Sequence, residues 1–242
     1  MINTDFLLSS SCSFLPNLKQ LILQSVGAEL LKVVCSKLES NSTVLELSLR
    51  FYGDSPSLCS SLRNLIFHNK TKKKISIPLQ DRCETYVNDA EFLQLCSAIS
   101  RNVYVRELDF CGVVVETSSS IRHLFNTSSI KIIHLPGYEE EDCHIHPIEK
   151  LNSSIREIFL YDINLNLVNP FMFTNSLKEL SIIDAEFIDQ DMDSLDEVLR
   201  VKVNLRVLKI VFPRINDNQL AKFFSSLENN SSLEKVFSDV TI

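Results

Sequence analysis

One apolar spacing recurs along the chain and limits what it can fold into: an apolar residue, a second three positions later, and a third two beyond that. In "LRVLKI" these are Leu205, Leu208 and Ile210. The triplets Leu18/Leu21/Leu23, Val44/Leu47/Leu49, Val105/Leu108/Phe110, Ile130/Ile133/Leu135, Ile155/Ile158/Leu160 and Leu177/Leu180/Ile182 repeat it. Two weaker copies keep only Ile75 and Ile77, and Leu233 and Val236. Between middle residues the steps are 26, 28, 33, 25, 25, 22, 28 and 28. Units this short cannot bury an apolar face alone, so nine of them must stack on one another.

Between triplets the apolar period changes from two to that of a helix. Phe92, Cys96 and Ile99 share one helical face, with Asp89 as the expected N-cap. Leu58, Leu62, Leu65 and Ile66 form a stripe after Ser55 and Pro56, a capping residue and a first-turn proline. "NDNQLAKFFSSL" predicts a further helix burying Leu220, Phe223, Phe224 and Leu227. Each unit therefore reads as strand, turn and amphipathic helix. Asn41, Asn69, Asn102, Asn152 and Asn230 each fall six residues before a middle strand residue. They are expected to end helices in the left-handed conformation that asparagine tolerates. That role, not glycosylation, explains the N-x-S/T sequons among them.

L-x-x-L-x-L strands, three-turn helices and steps near 28 residues resemble leucine-rich repeats of the ribonuclease-inhibitor-like class. The resemblance covers about residues 15–238, with 1–14 as a possible cap, and implies one domain over 1–242: an α/β horseshoe, strands inside and helices outside. One departure is clear. Where the family places Asn or Cys three residues after the last strand apolar, this chain has Val26, Tyr52, Gln80, Val113, Tyr138, Ile163, Ala185 and Pro213. The family's asparagine ladder is missing, and the turns must satisfy their backbone groups otherwise.

Composition narrows the function. The four glycines, Gly27, Gly53, Gly112 and Gly137, cannot assemble a phosphate-binding loop. A formal charge of −7 excludes the basic footprint of a nucleic-acid binder, and "KTKKK" (70–74) reads as a solvated turn. No apolar run approaches the roughly 20 residues of a membrane span. The seven scattered cysteines, an odd number without a secretory signal, predict reduced thiols and a cytoplasmic location. No cofactor is expected.

In such a fold the residues alternating with the triplets face the concave side. On repeats one to four they are mostly polar. On the next four, beside Glu157, Glu179 and Ser181, they include Ile132, His134 and Pro136, then Phe159 and Tyr161, then Ile183, then Val207, Lys209 and Val211. An exposed apolar patch with aromatics marks a protein interface; the competing readings are a loop that covers it, or Ile183 and Val211 lying partly in the core. Glu139, Glu140, Glu141 and Asp142 follow repeat five, while Asp162, Asp184 and Glu186 follow the next two, making an acidic rim. Patch and rim together predict a protein partner with apolar and basic residues, or else the rim is simply a solvated loop.

Four further possibilities follow. Cys143, His144 and His146 have metal-ligand chemistry but lack a second cysteine at ligand spacing. His134, Asp109 and Cys111 would neighbour each other as a thiol-enzyme trio on an open sheet, without an oxyanion pocket. The family resemblance also implies a regulator of a small GTPase or a sensor or effector domain, although no residue carries a motif for either. The last strand, followed by "DVTI", is a bare edge: either the chain continues in a longer protein, or the edge meets a partner or a second copy of the chain.

Overall fold

A computed structural model describes residues 17–52, 55–78, 85–138, 154–161, 176–183, 189–201, 204–212 and 215–240. Nine strands form one parallel ladder: β1 (Gln20–Val26), β2 (Glu46–Phe51), β3 (Lys74–Ser76), β5 (Glu107–Asp109), β7 (Ile132–His134), β9 (Glu157–Tyr161), β10 (Glu179–Ile183), β11 (Val207–Phe212) and β12 (Lys235–Val240). They lie side by side in that order. The register matches the apolar spacing: Leu21, Leu47, Ile75, Leu108, Ile133, Ile158, Leu180, Leu208 and Val236 run in one row across the sheet. The first eight of these are buried in a single continuous core. A parallel sheet with intervening helices is consistent with a leucine-rich-repeat-like solenoid.

Among the described residues, five helices of twelve to fourteen residues accompany the ladder: α1 (Ala28–Glu39), α2 (Ser55–His68), α3 (Asp89–Arg101) and, past a short α4 (Ser118–Ile121), α5 (Asp189–Val201) and α6 (Asp217–Glu228). α1 packs on α2, α2 on α3, and α5 on α6. The predicted stripe Leu58, Leu62, Leu65 and Ile66 is buried, as are Phe92, Cys96 and Ile99. Two local expectations need correction. The cap of α3 is Asn88, whose side chain accepts from Glu91 N at 2.9 Å, so Asp89 is already inside the helix. On α6 only one of two adjacent phenylalanines can face the core: Phe223 is 1% exposed and Phe224 53%.

A second parallel sheet, β4 (Thr85–Val87), β6 (Val113–Val115) and β8 (Gly137–Tyr138), lies outside the expected pattern. It explains why β3, β5 and β7 are only three residues long: the chain leaves the ladder there to enter the second sheet. Gly112 makes the turn between β5 and β6 possible. A Cβ at that position would sit 2.6 Å from Pro78 O and 2.8 Å from Ile77 O, too close for any side chain.

The asparagines work differently from the expected left-handed caps. Among the described residues the only positive φ outside glycine is at Ser25, beside a register shift in β1. Instead each side-chain oxygen accepts backbone N–H groups two and three residues ahead: Asn41 from Thr43 and Val44, Asn69 from Thr71 and Lys72, Asn102 from Tyr104 and Val105, Asn230 from Ser232 and Leu233. Asn102 Nδ2 also donates to Ile66 O and Asn69 O of the preceding repeat, and Asn230 Nδ2 to Leu199 O. An asparagine ladder therefore exists, moved from after the strand to before it. Asn152 lies outside the described residues.

The gap in the third triplet has a cause. Lys72 stands at the missing apolar position and is 1% exposed, with Nζ 2.6 Å from Leu38 O and 2.5 Å from Asn41 O. It caps the end of α1 from inside, which corrects the solvated-turn reading of "KTKKK" at that residue. Burial pushes its ammonium down to about 8.

Candidate functional site

The alternating residues do face away from the core. Along β9 the burial pattern is half-buried at Glu157, Phe159 and Tyr161 and buried at Ile158 and Leu160. Strand register then fixes the neighbours: His134, Phe159, Ser181 and Lys209 form one row, with Ile132, Glu157, Glu179 and Val207 beside it. Tyr161 and Ile183 continue as a third. Ile132, His134, Phe159, Tyr161, Ile183, Val207, Lys209 and Val211 are all half-buried on this open face. Pro136 is the exception and is buried. It follows the short β7 where the chain turns toward β8, so it no longer belongs to the open face.

Aromatic packing organises the row. The His134 and Phe159 rings stack with centroids 4.1 Å apart and planes 6° off parallel; Tyr161 lies 6.0 Å from His134 at 11°. Lys209 Nζ sits 5.9 Å from the Phe159 centroid and 2.5 Å from Glu179 Oε1. Lys74 pairs with Glu107, and Gln20 Nε2 donates to Glu46 Oε2 at 3.2 Å. Burial lowers the His134 pKa, with Lys74 adding to the shift and Asp109 and Glu107 opposing it. The shift favours the neutral imidazole, and its Nδ1 is buried with no hydrogen-bond partner. Burial, Cys111 and Asp109 push the Tyr161 phenol up to about 12.

Of the trio Cys111, His134 and Asp109, the structure puts the carboxylate in register beside the imidazole and in contact with the thiol. Asp109 is buried, and its two oxygens accept from Ser76 Oγ at 2.6 Å and from Cys111 Sγ at 2.9 Å. The thiol thus donates to the carboxylate, and the imidazole spends its face on Phe159. The seven rim residues Glu139, Glu140, Glu141, Asp142, Asp162, Asp184 and Glu186 lie outside the described residues, as do Cys143, His144 and His146. The alternation places Glu157, Glu179 and Ser181 on the same face but does not single them out. Their signal was the repeat register itself, which places the two glutamates side by side.

No family model and no curated protein matches the chain. Among solved structures, it is similar to a Caenorhabditis elegans tropomodulin C-terminal domain at 13% identity, covering 83% of this chain and 92% of that one, with a TM-score of 0.29. It is also similar to a chain of a TLR13–ssRNA13 complex at 15% identity, covering 94% of this chain and 37% of that one, with a TM-score of 0.40. Likenesses at this level carry no argument here; the fold rests on the strand register. No described helix is long and apolar enough to cross a membrane.

Proposed function

We propose that the chain is a non-enzymatic protein-interaction module, whose ladder sheet forms the concave face of a horseshoe and docks a protein partner across β7 to β11. The observation that carries this reading is the half-buried stack of His134, Phe159 and Tyr161 on a continuous sheet. Rigid aromatic groups held in place before binding lose little entropy on association and are favoured as anchors. A cytoplasmic setting with reduced thiols suits this role.

The test is capture by the purified chain, comparing wild type with Phe159→Ala/Tyr161→Ala. Proteins bound by the first and lost by the second, at equal thermal stability, are the expected result. Identical captured sets would remove the face from consideration. Self-association is a separate proposal, favoured by Val236 and Phe237 on β12, 40% and 54% exposed on opposite faces of that strand. Sedimentation showing one monomeric species at all concentrations would rule it out.

A further inference from the structure

Glu157 and Glu179 lie directly opposite each other on β9 and β10, with their backbones about 4.8 Å apart. Two residues along the same strands are Phe159 and Ser181. Lys209, on β11, reaches back to Glu179 and to the Phe159 ring. Ser181 lies in register between Lys209 and Phe159, so the lysine stem must pass over it. Ser181 is accordingly 0% exposed although it stands on the open face, and its Oγ has no hydrogen-bond partner. A buried hydroxyl left unpaired is costly, and alanine would fill the same space without that cost.

Glu157 makes no ion pair with a described residue, in contrast to Glu107 with Lys74 and Glu179 with Lys209. Burial raises its pKa, with Glu179 and Glu107 adding to the shift and Lys209 opposing it. Lys209 shows what a cation does at this place: it sits on a carboxylate and against an aromatic ring. It leaves a second carboxylate and a hydroxyl unused. Its side chain is 41% exposed, so it has open solvent to move into.

We infer that Glu157, Glu179 and Ser181, beside the Phe159 ring, form a receptor for an arginine side chain of the protein partner, entered when Lys209 swings aside. Arginine fits because its guanidinium is planar, carries five N–H donors and has no acceptor. The plane can lie against Phe159, which is itself backed by His134, while the N–H groups donate to both carboxylates and to Ser181 Oγ. A lysine ammonium is a compact, strongly hydrated point charge, without a planar fork that could lie flat on the ring while donating to both carboxylates. This inference rests on the docking reading and puts the basic anchor inside the face.

The test is nuclear magnetic resonance titration of the full chain with acetyl-Gly-Arg-Gly-amide, and with lysine and citrulline versions of the same peptide. The arginine peptide should shift the ring signals of Phe159 and His134 with a Kd on the order of 1 mM. The lysine peptide should bind about fivefold more weakly and the uncharged citrulline peptide not measurably. Lys209→Met should tighten arginine binding about fivefold by removing the competing cation, and Glu157→Gln should weaken it about tenfold. Ser181→Ala should weaken the arginine peptide by about threefold without lowering the melting temperature and leave the lysine peptide unchanged. Equal binding of arginine and lysine peptides, or an unchanged Kd in Glu157→Gln, overturns the receptor. If that happens while Phe159→Ala/Tyr161→Ala still abolishes partner capture, the docking face stands and only the arginine assignment falls.

Discussion

Replacing Asn102 by glycine separates two physical accounts of the turns between helix and strand. If asparagine were there to adopt a left-handed backbone, glycine would serve at least as well. The observed backbone, φ −86° and ψ 130°, is open to any residue, so the side chain must be the reason. Its oxygen accepts from Tyr104 N at 2.8 Å and Val105 N at 2.9 Å, and its nitrogen donates to Ile66 O at 2.7 Å and Asn69 O at 3.1 Å. Asn102 is 6% exposed and Val105 1%, so water cannot easily replace the lost acceptor at Val105. Ile66 O keeps a bond from Asn69 N. One orphaned buried N–H and the loss of three weaker contacts amount to about 3 kcal/mol for Asn102→Ala. Glycine should cost about 0.5–1 kcal/mol more through unfolded-state entropy. Asn41→Ala is the comparison: its side chain makes similar local bonds at a half-buried site, with no cross-repeat donation to a described residue, and about 1 kcal/mol is expected. Urea unfolding followed by circular dichroism measures all three. A glycine variant as stable as wild type would refute the side-chain account.

Other consequences are equally specific. Gly112→Ala drives a Cβ against two backbone oxygens that cannot yield and should cost about 2–3 kcal/mol in thermal unfolding; Gly27→Ala, with its nearest neighbour 3.9 Å away, should be close to neutral. Lys72 sheds its proton near pH 8 when folded but near 10.4 when unfolded. Wild-type stability should therefore rise relative to Lys72→Met as pH climbs through that window, as urea midpoints from pH 7 to 10 would show. A parallel dependence in the two proteins would contradict the burial. His134 has a lowered folded pKa, so the unfolded chain binds its proton first and stability drains away as pH falls below about 6.5. His134→Phe keeps the stack, removes the unpaired nitrogen and should flatten that acid limb in melts from pH 7 to 5; an unchanged limb would assign it to other groups.

Much of this fold can be read from the sequence because burial imposes it. A strand whose alternate residues must enter a shared core has one tolerable register, and so the middle residues from Leu21 to Val236 align as their spacing requires. The features that escaped depend on partners far away in sequence. β4, β6 and β8 are runs of two or three residues with no period of their own, and only mutual pairing makes them a sheet. Lys72 reads as a break in the pattern because a sequence does not show that the end of α1 lies within reach of its ammonium. The asparagine positions were legible and their mechanism was not, since spacing reports residue type but not φ. At the candidate site the rows of facing residues were predictable. The strap of Lys209 over Ser181 was not, because it depends on a rotamer chosen by an ion pair between residues 30 apart.

The claim that repeats stack to make one docking face is tested most directly by photo-crosslinking. A benzophenone amino acid placed at Phe159 on the open face, or at Phe224 on exposed α6, reports which side the partner covers. The account predicts a covalent adduct with the captured partner from position 159 and none from position 224. Adducts from 224 alone would place the partner on the helices and contradict it.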